Sequence, residues 1–513
     1  MSRKLLIFLF VFLVLRILLF NINISEWGDS YYIIKAAESL RSNFSYPAYE
    51  KRLPLLSALI ALNPLPVEMV VWAKILQILL SAGIILLTFK LARRLFPDLD
   101  TFALYTLSFA LLFNPVFFYW SLRVVAGILF TFLCLLAFNI YHSQLRRRFL
   151  LLGLVCGLAS LTRYEGFLLT TAFGLSLLLA KKFKPLILHS LFFILIISPW
   201  FLRNYLIFGN PFHSTYFSEP STYTYNLKTV LIFLVSLVFL FGFPPVFFFV
   251  ERGCRRVVRG PLFIFILLEL LLILCWPAAV PRLFLPLIPF FLIFLVGGLA
   301  GVGVGERKKL FAASLVLTLV YVLSQYFLRL HFLVLSKSGL TLIATLGLLS
   351  TLSWLVFDFE RARRIFVGLL LASEMIASFV VINNHRLVYS DALRAAQFAA
   401  SLDGLTAYSD ETGVVKYYLG DKGRKLPDDL REAGQQWRWL QENEIEYVLA
   451  TDEYEQLSRF NAFNSADYAD KFVLVKSWEV EVADAFDSFL MRKGIFPKRE
   501  YPIKHSWVYK VLR

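Results

Sequence analysis

The sequence predicts a polytopic α-helical membrane protein with about 13 transmembrane helices and a small C-terminal extracytoplasmic α/β domain. Of the 513 residues, 58% are hydrophobic and 52 are Phe, and the mean hydropathy is +0.67. A chain of this composition belongs in a bilayer, because it has too little polar sequence to solvate a globular surface. Residues 391–513 have a net charge of −4, whereas residues 1–390 have a net charge of +20. The basic residues cluster in short loops. This distribution is typical of a membrane topology signal and not of a nucleic-acid-binding surface.

The first membrane span is predicted at Leu5–Phe20, after the basic start Ser2-Arg3-Lys4. No small-residue cleavage site follows it and more spans come after, so it is interpreted as a retained span and not as a signal peptide. Further apolar stretches are separated by basic clusters, namely Arg93-Arg94, Arg146-Arg147-Arg148, Lys181-Lys182-Phe183-Lys184, Arg252 to Arg259, Arg307-Lys308-Lys309 and Arg361 to Arg364. If these clusters and the N-terminus are cytoplasmic, two spans separate each neighbouring pair, which gives thirteen spans and an outward-facing tail. The predicted location is therefore integral and multi-pass, in the cell membrane.

Two domains follow from this topology. Residues 1–382 are predicted to form the transmembrane domain, and residues 383–513 a soluble extracytoplasmic α/β domain. The first extracytoplasmic loop, residues 21–68, is too long for a simple connector. It contains amphipathic stretches, at Tyr31–Leu40 and after Pro54, that suit helices lying in the membrane interface. In the tail, Tyr447-Val448-Leu449-Ala450 is typical of a strand, and Asp428–Asn443 is typical of a helix.

Asp29 is the leading candidate catalytic residue. It lies in Glu26-Trp27-Gly28-Asp29-Ser30-Tyr31-Tyr32, just beyond the first span. A carboxylate at the far membrane surface suits a general base that acts on a lipid-borne substrate. The alternative is an N-cap for a helix at Ser30–Leu40, which is the better interpretation for the residue taken alone. Other polar residues predicted at the same membrane face favour the base.

Five further charged residues are predicted at outer turns or at the outer ends of spans: Arg123, Arg163, Glu165, Arg203 and Arg282. The four arginines oppose the usual bias of basic residues towards the cytoplasm. Charged side chains at membrane depth cost roughly 2.5 kcal/mol or more, so they tend to face polar cavities or mark function. Two plainer interpretations stay open: each arginine could extend to lipid headgroups, and Arg163 could pair with Glu165. Four outer arginines together with one acid favour a phosphate-binding site, because the guanidinium fork matches phosphate oxygens.

The order of these segments resembles the GT-C superfamily of integral membrane glycosyltransferases, in particular the branch with protein O-mannosyltransferases and aminoarabinose transferases. The resemblance covers residues 1 to about 300 and lies in Trp27-Gly28-Asp29-Ser30-Tyr31-Tyr32, Arg52-Leu53-Pro54-Leu55, Gly157 to Gly166, Pro199 to Tyr205 with Phe208 to Phe212, and Pro281 to Pro286. The tail resembles the small α/β domains of some members more loosely.

The resemblance implies that Asp29 is the catalytic base of the first loop. It also implies that Arg52 lies at the floor of the substrate cavity and that Arg123, Arg203 or Arg282 lies near the donor phosphate. Many members have two adjacent acids in the first loop, whereas here Asp29 is followed by Ser30. The oligosaccharyltransferase signature Trp-Trp-Asp-x-Gly is absent from the sequence, so transfer of a whole oligosaccharide to asparagine is not expected.

The predicted function is transfer of a sugar from a polyprenyl-phosphate-linked donor to an acceptor hydroxyl on the extracytoplasmic face, with inversion and with Asp29 as general base. The enzyme would be a hexosyl- or pentosyltransferase, with mannose as one candidate sugar, and the acceptor would be a lipid, a glycan or a protein. The alternatives are a transporter or flippase of a lipid-linked sugar, which would need similar arginines, and a non-catalytic scaffold.

No cofactor is predicted with certainty, and a divalent metal stays open. The histidines His213, His331 and His385 are scattered, and the four cysteines, Cys134, Cys156, Cys254 and Cys275, lack metal-ligand spacing.

Overall fold

The computed structural model describes residues 3–48, 50–213, 230, 241–257, 260–276, 281–327, 337–409, 413–427, 429–451, 467–481 and 503–512. Their contacts divide the chain into two compact units. The first, here called the membrane unit, comprises Met1–Ile17 and Tyr46–Phe379. The second, here called the tail unit, comprises Leu18–Ser45 and Val380–Arg513.

The membrane unit is helical. Its helices are α1 (Arg3–Leu18), α3 (Leu55–Ala61), α4 (Met69–Leu95), α5 (Thr101–Phe113), α6 (Pro115–Trp120), α7 (Ala126–Tyr141), α8 (Arg148–Ser160), α9 (Gly166–Leu179), α10 (Phe183–Phe208), α11 (Val246–Val257), α12 (Pro261–Leu274), α13 (Ile288–Ala300), α14 (Arg307–Phe327), α15 (Lys337–Val356) and α16 (Phe359–His385). A short 3₁₀ helix, Pro281–Phe284, precedes α13. The last residue of α1, Leu18, and the last residues of α16, Val380–His385, belong to the tail unit. In bilayer hydrocarbon a helix is favoured because it satisfies its own backbone hydrogen bonds.

Three of the described helices, α4, α10 and α16, are long and apolar enough to cross a membrane. Several shorter helices are apolar as well, including α5, α7 and α13. The predicted helical membrane fold is confirmed, and the count of about 13 spans stays a prediction. The basic clusters of the sequence lie at helix ends, as Arg93 and Arg94 do in the last turn of α4.

Glycines bring two pairs of helices into close contact. A Cβ on Gly153 of α8 would overlap the carbonyl oxygen of His189 in α10, and one on Gly157 would lie 2.6 Å from Ile196 Cβ. In the same way, a Cβ on Gly253 of α11 would overlap the Phe294 carbonyl of α13. Small residues permit this backbone approach, which replaces the hydrophobic driving force that is absent between helices in lipid.

The tail unit contains a five-stranded mixed sheet. Its strands are β1 (Leu405–Tyr408), β2 (Gly423–Lys425), β3 (Ile445–Thr451), β4 (Phe472–Glu481) and β5 (Ile503–Val511), in the order β2-β1-β3-β5-β4. Strand β1 pairs in parallel with β2 and β3, whereas β5 is antiparallel to β3 and β4. Its helices are α2 (Gly28–Asn43), α17 (Ser390–Ser401), α18 (Val414–Leu419) and α19 (Ala433–Glu442).

The sheet has a core on each face. Leu449 of β3 packs with Ala395 of α17, while its neighbour Val448 packs with Leu440 of α19. Successive strand residues point to opposite faces, so a central strand covered on both sides is apolar throughout. This explains the apolar run from Tyr447 to Ala450, and the strand predicted there is confirmed. The predicted helix at Asp428–Asn443 is found as the shorter α19, which begins at Ala433.

The residues of the predicted first loop divide between the two units. Leu18–Ser45, with α2, contacts the tail, and the loop from Tyr46 onward contacts the membrane helices. The predicted division into a transmembrane part to residue 382 and a soluble part from residue 383 stays a prediction.

Candidate functional site

Asp29 lies in the first turn of α2, within the tail unit. The helix begins one residue earlier than Asp29, and its N-cap is Trp27, whose side chain makes no capping hydrogen bond. Asp29 is therefore inside the helix and is not its cap. An acidic side chain in the first turn is still favourable there, because it interacts with the positive end of the helix dipole. The side chain of Asp29 is partly exposed, as a base that must reach a substrate requires.

The segment before Asp29 is anchored by Tyr31. Its hydroxyl lies 3.1 Å from Ser25 Oγ and accepts a hydrogen bond from the Glu26 backbone N–H at 3.3 Å. Burial raises the pKa of Tyr31, so its hydroxyl stays neutral at physiological pH. The Trp27 ring packs edge-on against Tyr389, with centroids 5.4 Å apart. These contacts fix the entry of the chain into α2.

The remaining predicted site residues lie in the membrane unit, in segments that contact one another. Arg163 and Glu165 occupy the tight turn between α8 and α9 and form an ion pair, with Arg163 Nε donating to Glu165 Oε1 at 2.9 Å. The turn requires glycine at its end, since a Cβ on Gly166 would overlap the backbone of Ser160. Pairing of these two residues was one of the interpretations open from sequence, and it is present.

Arg52 is paired as well. Its Nη1 donates to Glu50 Oε1 at 2.8 Å, and its backbone N–H donates to the same oxygen at 3.0 Å. The Tyr46 hydroxyl donates to the Arg52 carbonyl oxygen at 2.6 Å. Three residues after Arg52, the Leu55 N–H donates to the Leu161 carbonyl at 3.0 Å, which joins this segment to the Arg163 turn.

Arg203 lies near the end of α10, four residues after the helix-internal Pro199. Its Nη2 donates to the carbonyl oxygens of Tyr46 and Pro47, at 3.1 Å each, and its Nη1 donates to Asn204 Oδ1 at 3.0 Å. The guanidinium carbon is 4.6 Å from the centroid of the Trp200 ring. All of these oxygens are neutral, so they leave the charge of Arg203 uncompensated.

Arg123 follows α6, a short helix that the sequence specifies locally. Asn114 caps it by accepting from the Phe117 N–H at 3.2 Å, and Pro115 occupies the first turn, where its missing N–H costs nothing. Arg123 is fully buried, and its guanidinium carbon lies 5.0 Å from the Tyr119 ring centroid.

Arg282, in the 3₁₀ helix, contacts the same short helix. Its guanidinium carbon lies 5.5 Å from the Trp120 ring centroid. Gly127, at the start of α7, lies between two of these segments: a Cβ there would be 3.0 Å from Leu285 Cδ1 and 3.9 Å from Arg163 Nη1. The contacts therefore join the segments bearing all five arginines, in the order Arg203, Arg52, Arg163, Arg282 and Arg123.

This group of segments, here called the arginine cluster, has an excess of positive charge. Glu50 and Glu165 each neutralise one arginine. A further carboxylate, Glu269 of α12, is buried within electrostatic range of Arg163 and Glu165. Several guanidinium groups on contacting segments, some of them with neutral partners, are suited to binding an anion.

Sequence reasoning missed several of these groups. Glu50 could have been found, because it lies two residues from Arg52. Tyr46 gave no signal, since its contact with Arg203 joins parts of the chain 157 residues apart. Trp200 lies within the segment Pro199 to Tyr205 that the sequence singled out, but its contact with Arg203 was not predicted. Glu269 is visible as a lone acid in an apolar helix, and such a residue is a functional candidate by default.

Among the described residues, no group of three or more His, Cys, Asp or Glu side chains could hold a metal ion. His213 stacks on Phe208 and His385 packs near Trp27, while His331 lies outside the described residues.

The structure thus combines a unit of mostly apolar helices, which contains the arginine cluster, with a unit built on a small mixed sheet. Two solved structures of one membrane enzyme share this fold. The solved structure of ArnT from Cupriavidus metallidurans bound to undecaprenyl phosphate matches with a TM-score of 0.58 and 13% identity, over 98% of this chain and 97% of that chain. ArnT in the apo state matches with a TM-score of 0.58 and 12% identity, over 97% of both chains. The Archaeoglobus fulgidus oligosaccharyltransferase in the apo form has a TM-score of 0.49 at 13% identity, over 88% of this chain and 69% of that chain.

Neither a family model nor a curated protein matches the sequence. The resemblance stated from the sequence is confirmed at the level of the fold, by the match to ArnT over nearly the whole chain.

Proposed function

We propose that the protein is a glycosyltransferase that takes a sugar from a polyprenyl-phosphate donor. The observation that carries this proposal is the arginine cluster, within a chain that has the fold of a protein crystallised with undecaprenyl phosphate. A lipid phosphate is an anion presented at membrane depth. Guanidinium groups bind its oxygens through paired, charge-assisted hydrogen bonds.

In the proposed reaction, Asp29 accepts the proton of an acceptor hydroxyl while that oxygen attacks the anomeric carbon. The bond between the anomeric carbon and the phosphate oxygen breaks, and the polyprenyl phosphate leaves with the electron pair. Attack from the face opposite the leaving group inverts the anomeric configuration. Arginine charge stabilises the leaving phosphate, so the step needs no acid catalyst.

The acceptor is proposed to be a lipid, glycan or protein hydroxyl on the extracytoplasmic face, with the N-terminus in the cytoplasm and the tail outside. The sugar is a hexose or a pentose, with mannose among the candidates. Metal dependence is tested in the same assay by adding a chelator, with and without added Mg²⁺ or Mn²⁺.

The test is transfer of labelled sugar from polyprenyl-phosphate donors in membranes containing the wild type, Asp29→Asn or Asp421→Asn. We expect loss of transfer by at least about 100-fold in Asp29→Asn, since the amide cannot accept the proton. Asp421→Asn makes the same change at another tail-unit aspartate, and it should transfer normally.

Equal transfer by the wild type and Asp29→Asn would remove Asp29 from the mechanism. If the protein moves lipid-linked sugar across the membrane but transfers sugar to no acceptor in a panel of donors and acceptors, the protein is a flippase and not a transferase.

A further inference from the structure

Helix α2, which carries Asp29, packs against α18, a short helix of the tail unit. Gly413, directly before α18, has a φ of +80°, and a Cβ there would lie 2.9 Å from the Gly28 carbonyl oxygen and 2.8 Å from Tyr32 Cε2. The backbone before α18 is thus in van der Waals contact with the first turn of α2. Tyr32 follows Asp29 by three residues, so the two side chains are neighbours on one face of α2.

A second contact holds α2 further along. The Tyr417 hydroxyl, on α18, donates to Glu38 Oε1 at 2.8 Å. Burial, together with this hydrogen bond, raises the pKa of Tyr417, so the hydroxyl remains a donor. The Tyr31 ring packs against both Tyr417 and Tyr418, with centroids 5.1 and 5.8 Å apart.

These contacts matter because α2 is short. It has 16 residues, and a helix of this size in a protein takes most of its stability from tertiary packing. Val414, at the start of α18, is fully buried in one cluster with Tyr31, Tyr389 and Leu393. Helix α18 therefore contacts α2 at its first turn and again near Glu38, which sets both the position and the axial rotation of the helix.

We propose that α18 is a positioning element for Asp29, with Gly413 and Tyr417 as positioning residues. The inference rests on the proposed function, and it makes the tail part of the reaction's machinery in addition to any role with the acceptor. A displacement of about 1 Å in a reacting group can reduce a rate by roughly 100-fold. Tail residues that touch no substrate would then control the chemical step.

The sharpest test compares Gly413→Ala with Gly420→Ala, because the two glycines flank α18 on opposite sides. Both have positive φ values, +80° and +53°, so alanine is strained at each. Only at Gly413 does the new methyl also meet α2, since nothing lies within 4 Å of a Cβ on Gly420. Gly420 has a ψ of −127° and Gly413 a ψ of −17°, so the backbone conformation of Gly420 is the less favourable of the two for alanine. A larger effect in Gly413→Ala than in Gly420→Ala therefore reports the push on α2.

We expect Gly413→Ala to lower kcat for sugar transfer by roughly 10- to 100-fold, with little change in the KM for the donor. Gly420→Ala should retain kcat within about twofold, and the melting temperatures of both variants are measured alongside. An equal loss of kcat in both variants, or a wild-type kcat in Gly413→Ala, would overturn the inference.

The hydrogen bond is tested by Tyr417→Phe, which keeps the ring and removes the donor. We expect a lower kcat, whereas Glu38→Gln should retain activity because its amide oxygen still accepts from Tyr417. Tyr447→Phe on β3 makes the same change in the tail unit, away from α2, and should behave as the wild type. Full activity in Tyr417→Phe would remove Tyr417 from the proposal.

Hydrogen exchange of the α2 peptide separates failure of this inference from failure of the proposed function. We expect faster amide exchange at the start of α2 in Gly413→Ala than in Gly420→Ala, whether or not sugar is transferred. If the wild type transfers no sugar, the proposed function fails while the exchange still shows whether α18 positions α2. If the wild type transfers sugar and neither kcat nor exchange differs between the variants, only this inference fails.

Discussion

Individual arginines of the cluster differ in how their charge is compensated. Arg52 and Arg163 each contact a carboxylate, whereas the oxygens around Arg203 belong to two carbonyls and an amide. A guanidinium among neutral acceptors keeps its full charge for a bound anion. Of these three arginines, Arg203 is therefore the one that we expect to interact with the phosphate of the proposed donor.

Arg203→Lys retains the positive charge and removes the planar fork. We expect the KM for the polyprenyl-phosphate donor to rise by about tenfold, the effect of losing one hydrogen bond to a charged group. The measurement is the donor dependence of sugar transfer, with thermal stability recorded alongside.

Arg255→Lys is the matched control, since its side chain is 82% exposed and pairs with Glu251 one turn away. Its donor KM should be unchanged. Equal values for both variants would show that Arg203 serves only to hold the Tyr46–Pro47 segment.

At the scale of elements, glycine contacts determine how closely the membrane helices approach. The pattern Gly153-Leu-Val-Cys-Gly157 on α8 is a small-residue motif of the kind that brings helices together. Its partner surface, between His189 and Ile196 of α10, is identified only in the folded structure.

Gly153→Ala should destabilise the membrane unit, because the methyl group must displace the backbone of α10. We expect a loss of about 1–3 kcal/mol, the usual cost of overpacking, seen as a lower melting temperature in detergent.

Gly174→Ala on α9 is the control, since the nearest atom to its Cβ would be 3.8 Å away. That contact is ordinary, and alanine is the better helix former, so stability should hold or rise slightly. A melting temperature that rises equally in both variants would contradict the close approach of α8 and α10.

At the scale of the whole molecule, the distribution of basic loops predicts an orientation that the cysteines can test. Cys275, at the end of α12, is exposed, and the topology predicted from the basic loops would put it on the extracytoplasmic side. Cys254 lies in the basic segment from Arg252 to Arg259, which is predicted to be cytoplasmic.

A membrane-impermeant maleimide should label Cys275 in intact cells and Cys254 only after permeabilisation. Cys134 and Cys156 are buried and should stay unlabelled without denaturant. Cys275→Ser should remove the label from intact cells. Labelling of Cys254 in intact cells would reverse the predicted orientation.

Much of the fold was predictable because its determinants are local or compositional. An apolar stretch favours lipid, a basic loop favours the cytoplasm, and the run Tyr447–Ala450 favours a buried strand. Each of these preferences belongs to a short segment and does not depend on the rest of the chain. Asp29 was visible for the same reason, as an acid directly after a span. The alternative prediction, that Asp29 is the N-cap of this helix, is wrong, because the N-cap is Trp27, two residues earlier.

The helical membrane fold, the candidate acid and the candidate arginines thus follow from features of the local sequence. Which groups meet depends on the folded chain: Arg203 contacts Tyr46, the Leu55 backbone contacts the Arg163 turn, and Tyr417 contacts Glu38, 379 residues away. Contacts of this kind depend on how packed elements bring distant residues together. The local sequence does not predict that geometry, because each of these residues is compatible with many other neighbours until the chain has folded.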